Sequence, residues 1–122
     1  MKYLLLLLPF LFVACYEADR DCADFKTGTF TFTAKINGVE KTTKFIRTED
    51  QEIDFYNGKA DTSMVRWVND CEYIVEKKHP KNMEERKAIA MKILTTSKNS
   101  YTFEYGIVGS GVTQKGTVTK IK

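Results

Sequence analysis

The chain has 122 residues with 19 basic and 16 acidic side chains and one histidine, a formal charge of +3. Removing the first 14 residues, which read as an export signal and include Lys2, leaves 108 residues at +2, enough for one domain with a modest core and too few for two. So small a charge, dispersed among acidic residues, excludes the one-sided basic stripe of a nucleic-acid binder.

Met1 and Lys2 give a minimal positive start, and Tyr3–Val13 an apolar run of secretory length, too short to span a bilayer. The segment Phe12-Val13-Ala14-Cys15 resembles a bacterial lipoprotein signal, with Phe12 in place of the usual Leu. In that reading Cys15 is acylated (diacylglycerol, with palmitate-type chains) and begins the mature protein. Two or more acyl chains anchor stably where one does not. The alternative is an ordinary secretory signal cut near Ala14 with Cys15 incidental. Glu17, Asp19, Arg20 and Asp21 follow at once, against a signal-anchor helix.

Residues 15–24 read as a short acidic, lipidated tether, and 25–122 as a single β domain. Thr29–Ile36 alternates polar and apolar, placing Phe30, Phe32, Ala34 and Ile36 on one face. Asn37-Gly38 is the strongest short hairpin signal, because a type I′ turn needs positive φ at both central positions. Val39–Thr48 returns with Phe45 and Ile46. Glu49-Asp50 turns into Gln51–Tyr56, with Ile53 and Phe55 on one side. Asn57-Gly58 repeats the hairpin signal, Lys59-Ala60-Asp61 lengthening that loop. Thr62–Val68 carries Val65 and Trp67 on one face, and Cys71–His79 alternates Cys71, Tyr73 and Val75 until Pro80, which cannot donate to a ladder. Asn82-Met83-Glu84-Glu85 has the form of a capping box, so one short helix is expected over 83–88. Ile89–Thr96 aligns Ile89, Met91 and Ile93. Ser100–Val108 aligns Tyr101, Phe103, Tyr105 and Ile107, and Val112–Ile121 is a last strand interrupted at Gly116.

About eight short strands in succession, each with one apolar face, predict an all-β antiparallel meander that closes into a lipocalin-like barrel, complete or partly open. A two-sheet β-sandwich is the alternative.

With Cys15 lipidated, Cys22 and Cys71 remain, in a compartment that permits a disulfide. Metal binding would want further ligands at suitable spacing, and only His79 exists; a redox pair would sit closer in sequence. A structural bridge is the favoured reading.

Little else carries chemistry. His79 stands beside Pro80 in a Lys-rich strand end, Glu49-Asp50 and Glu84-Glu85 read as turn and capping residues, and Gly109-Ser110-Gly111 is hairpin punctuation rather than a phosphate loop. No catalytic residue, metal site or cofactor is expected, and no enzyme activity. Binding is the open question. Arg47 shares strand parity with Phe45, so it points inward, where it pairs with Glu52 or stacks on Trp67. Either it anchors an anionic ligand in a barrel mouth walled by Trp67, Tyr73, Tyr101, Phe103 and Tyr105, or it closes the barrel end over packed aromatics. The latter suits a narrow barrel whose side chains fill it. Tyr56 is the better candidate for a partner contact.

At Cys22-Ala23-Asp24-Phe25-Lys26-Thr27-Gly28-Thr29-Phe30 and Val65-Arg66-Trp67-Val68-Asn69-Asp70-Cys71-Glu72-Tyr73, with Phe45-Ile46-Arg47 and Gln51-Glu52 between, the chain resembles a family of small envelope lipoproteins of Bacteroidota, chiefly marine flavobacteria. The resemblance covers nearly the whole mature chain. It implies paired cysteines and no established activity. Some relatives bear the label DNA topoisomerase IV, which does not suit a chain of this size without an ATP-binding loop. In that family's export pattern Glu17, Asp19 and Asp21 are compatible with passage to the outer leaflet of the outer membrane, or with a solvated linker. The expected localisation is the bacterial cell envelope, at the outer membrane. The function expected is a non-enzymatic structural or protein-interaction module with an envelope protein partner. The alternative is a lipocalin-like carrier of a small apolar or anionic ligand. The partners implied are the membrane, through the N-terminal lipid, and that protein or ligand, but no nucleic acid. An envelope hydrolase comes third.

Overall fold

The computed structural model describes residues 20–122, without the side chains of Lys35 and Ile36. The signal at 1–14, Cys15 and the start of the tether lie outside the described residues, as does the inward placement expected for Ile36.

Eight strands follow one another around a closed antiparallel barrel: β1 (Gly28–Ile36), β2 (Val39–Arg47), β3 (Gln51–Tyr56), β4 (Lys59–Asn69), β5 (Glu72–Lys77), β6 (Ile89–Thr96), β7 (Ser100–Ile107) and β8 (Gln114–Lys120). The meander barrel is thus the fold, and the sandwich is not. Closure is made by three pairs between β1 and β8: Phe30 with Lys120, Thr31 with Thr119 and Phe32 with Val118. Joining the first strand to the last removes the sheet edges along that seam.

The two Asn-Gly signals work as their chemistry requires. Asn37 and Gly38 have φ of 52° and 78°, and Asn57 and Gly58 have 50° and 73°, the left-handed values of a type I′ turn. Ile36 pairs with Val39, and Tyr56 pairs with Lys59. The second loop is therefore two residues long, and Lys59–Asp61 belong to β4 instead of lengthening it.

No helix forms over 83–88. Asn82 does cap, its Oδ1 accepting the Glu85 N–H at 2.9 Å. Only two i→i+3 backbone bonds follow, from Arg86 to Met83 and from Lys87 to Glu84, at 3.3 and 3.2 Å. Met83 is 73% exposed, so the segment has no apolar face to bury against the barrel, and capping alone does not offset the cost of nucleating a helix. The helical turn lies elsewhere. Cys22–Phe25, within the segment read as tether, forms a 3-10 turn that buries Cys22 and Phe25.

That turn plugs one end of the barrel. Cys22 is disulfide-bonded to Cys71 in the β4–β5 turn, 49 residues away, with the Cα atoms 5.3 Å apart. Phe25 packs edge-on against Tyr101 at 5.2 Å, and the Lys120 ammonium donates to the Asp24 carbonyl. Beneath it lies the main core, in which Phe30 stacks on Phe45 at 5.1 Å and Ile93, Tyr101, Phe103 and Val118 close around them. Gly116 matters to this packing. A Cβ there would lie 2.8 Å from the Phe32 ring and 2.9 Å from the Phe103 ring, so only glycine lets these two aromatics meet edge to face beside β8.

β3 departs from its hydrophobic pattern. Glu52 is buried and Asp54 faces the interior, while Phe55 is 40% exposed and Ile53 lies on the outer side with it. Antiparallel partners share a face, and Glu52 is paired with Arg47 across the 48–50 turn. Once Arg47 points in, Glu52 and Asp54 must do so too.

Candidate functional site

Arg47 is the most buried charge of the described residues, 1% exposed at the end of β2. Its Nε donates to Glu52 Oε1 at 3.2 Å, Nη1 to the Phe25 carbonyl at 2.8 Å, and Nη2 to the hydroxyls of Tyr73 and Tyr101 at 2.6 and 2.9 Å. The Glu52 carboxylate also lies 3.1 Å from Nη2. Burial opposes the charge, but Tyr73, Tyr101 and Glu52 outweigh it and the net shift is upward. Burial likewise pushes the Tyr73 phenol well above its ordinary value, in spite of Arg47 beside it. The guanidinium lies over the rings of Tyr73, Phe30 and Phe45 at 4.7, 4.9 and 5.3 Å. It does not stack on Trp67, as one sequence reading had it. Trp67 packs against Tyr73 at 4.5 Å beneath the Lys26 ammonium, and its indole N–H finds no acceptor among the described residues.

With its donors turned to the plug, two tyrosines and its own carboxylate, Arg47 ties the barrel wall to its stopper. That is the end-closing role. An anionic ligand would have to displace Glu52 to reach it.

Above this layer the barrel is not filled. A cavity of about 530 Å³ opens toward the 78–88 connection, the size of a small-molecule site. Of the sequence-derived candidates, Arg47, Tyr73, Tyr101, Phe103 and Tyr105 line it and Trp67 does not. The wall has two chemistries. Phe32 on β1, Phe103 and Tyr105 on β7 and Val118 on β8 make one side apolar. Opposite them in strand order, Glu52 and Asp54 on β3, Ser63 on β4 and Lys77 on β5 make the other side polar.

Sequence reasoning missed Asp54, Ser63 and Lys77. Lys77 Nζ is held 3.1 Å from Asp61 and 3.5 Å from Glu85 at the mouth. Burial, reinforced by Glu52 and Asp61 and only partly opposed by Arg47 and Lys77, raises the Asp54 carboxyl to about 7. The folded chain therefore binds more protons than the unfolded one between about pH 4 and 7. Stability from the neutral carboxyl is complete below the unfolded value of 3.8 and is lost as pH rises through about 7, by up to about 1.4 kcal/mol per pH unit from this group. Asp54→Asn should accordingly raise the urea midpoint at pH 8 and do far less at pH 4; a variant no more stable than the parent at pH 8 would contradict this.

The other sequence candidates are superficial. His79, Glu49 and Asp50 are exposed, and Glu84 and Glu85 sit at the cavity mouth. Tyr56 is 39% exposed with the Lys41 ammonium 5.7 Å above its ring. Among the described residues, no three His, Cys, Asp or Glu side chains are arranged to hold a metal ion.

Fold and site together define a small closed β-barrel with one plugged end and one open, ligand-sized cavity. No protein-family model, curated protein or solved structure matches the chain.

Proposed function

We propose that the protein is a lipid-anchored envelope protein whose barrel carries a small, largely apolar molecule without transforming it. The observation that supports carriage over a purely structural role is the cavity of about 530 Å³ above the Arg47 layer, in a barrel narrow enough for its side chains to have filled it. The Cys15 anchor and an origin among Bacteroidota envelope lipoproteins belong to the same proposal and rest on the sequence blocks.

The two ends of the barrel give the anchor a consequence. Cys15 precedes Cys22 by seven residues, a reach of at most about 25 Å. Cys22 sits at the plugged end, while the mouth lies at the end of the Asn37-Gly38, Asn57-Gly58 and 78–88 connections. A tether this short holds the plug toward the membrane and the mouth away from it, so the ligand arrives from the aqueous side.

A protein-interaction role has its own support in Val68, Ile107, Val108 and Val112, apolar residues exposed around an outer groove beside the β7–β8 loop. Native mass spectrometry separates the readings, using a Cys15→Ser form purified gently from its own envelope fraction. A retained mass of a few hundred daltons is expected. A bare chain that co-purifies with a stoichiometric protein partner would favour the interaction role.

A further inference from the structure

The polar side of the cavity is unevenly balanced. Its cations are already engaged: Arg47 by Glu52, Lys77 by Asp61 and Glu85, and Lys87 by Glu84 at 2.9 Å. Asp54 is left over. Among the described residues no hydrogen bond or ion pair reaches its carboxyl, and it stands directly opposite Asp61 in the β3–β4 ladder, a like-charge pairing that destabilises a sheet. Beside it, Ser63 is paired with Glu52 in the same ladder and is only 4% exposed. Its side chain lines the cavity, and no side-chain hydrogen bond to another described residue engages its hydroxyl. Both side chains line the same cavity, and a ligand that donates hydrogen bonds would satisfy them together. The carboxylates here do not form a metal cage, and the facing wall is aromatic, which suits an organic cation.

We infer that the barrel's ligand is an organic monocation with an apolar body, its protonated nitrogen donating to Asp54 and Ser63 and its body lying against Phe32, Phe103 and Tyr105. The inference rests on the carrier reading above and adds the chemical class of what is carried. The groups facing Asp54 are Arg47 from β2, Glu52 on its own strand, Asp61 from β4 and Lys77 from β5. A bound ammonium relieves the repulsion from Glu52 and Asp61 without displacing either internal cation.

The test is isothermal titration of the Cys15→Ser protein at pH 8 with decylamine, decanol and decanoate, which share a chain and differ in the head, and with 2-phenylethylamine. Decylamine should bind about 10–100-fold more tightly than decanol, the range for a hydrogen bond to a charged group, and decanoate most weakly. Asp54→Asn should erase that preference while leaving decanol binding unchanged, and Ser63→Ala should reduce it in part. Tighter binding of decylamine than of 2-phenylethylamine assigns the site to chain-bearing amphiphiles, and the reverse to compact aryl amines; either supports the cation. Decanol binding as well as decylamine, or an Asp54→Asn variant that keeps the preference, overturns the cation inference and leaves the carrier reading standing. Failure of all four compounds to bind overturns both.

Discussion

Replacing Arg47 with Met should destabilise the barrel by about 3–5 kcal/mol, the cost of removing one partner of a buried ion pair. The loss extends beyond the pair. Glu52 would keep a buried charge without its counter-ion, and the Phe25 carbonyl and the Tyr73 and Tyr101 hydroxyls would each lose the donor that now reaches them. Because the Phe25 bond ties the wall to the plug, loosening should be greatest there, seen as faster amide exchange in the Cys22–Phe25 turn. Replacing Glu52 with Leu in the same chain should recover much of the loss, since a buried pair exchanged for apolar residues of similar volume is often neutral. Denaturant unfolding of the single and double variants measures this. An Arg47→Met variant within about 1 kcal/mol of the parent would mean the guanidinium is not structural, and would return it to the role of a ligand anchor.

The disulfide carries the second large effect. Closing a loop over 49 residues removes enough denatured-chain entropy to stabilise the fold by about 4 kcal/mol. A Cys22→Ala/Cys71→Ala double variant should lose about that much. Its plug should also open more often than the rest of the barrel, because the bridge is the covalent tie between the turn and the β4–β5 end. Native exchange should show the Cys22–Phe25 amides losing protection before those of β1. A double variant as stable as the parent would mean that Arg47 and Phe25 alone hold the stopper in place.

Much of the architecture is legible in the sequence. The Asn-Gly pairs specify their turns through backbone geometry alone, whatever the rest of the fold does. Alternation names Phe30 in β1, Ile93 in β6 and Tyr101 and Phe103 in β7 as inward, because the neighbouring strands also bury an apolar face; it fails at the end of β7, where Ile107 is 40% exposed. The pairing of Cys22 with Cys71 follows once Cys15 is set aside. Asn82 misleads, because a cap satisfies donors at a helix start without making the helix itself favourable.

The site was legible only in part, and β3 shows why. Apolar alternation puts Ile53 and Phe55 inside, whereas register puts Glu52 and Asp54 there. The signal was present: with Arg47 inward and a short turn at 48–50, the residue opposite it across the ladder shares its face. Hydrophobic patterning assumes that the interior is uniformly apolar, and one wall of this interior is not. The expectation of a filled barrel fails at the same place, since Ser63, Asp54 and Lys77 leave space that larger apolar side chains would have taken.

The central claim is that the barrel holds a ligand in that space, entered from the end away from the plug. It is tested most directly by titrating N-phenyl-naphthylamine, a neutral apolar fluorophore, into the Cys15→Ser protein and its Thr43→Trp variant. Thr43 lies on β2 at the cavity wall above Phe45, opposite Phe32 in the β1–β2 ladder, where an indole would occupy the entrance. Saturable binding of one fluorophore per barrel, lost in Thr43→Trp with the unfolding midpoint unchanged, is the predicted result. No saturable binding, or binding that Thr43→Trp leaves intact, would contradict it.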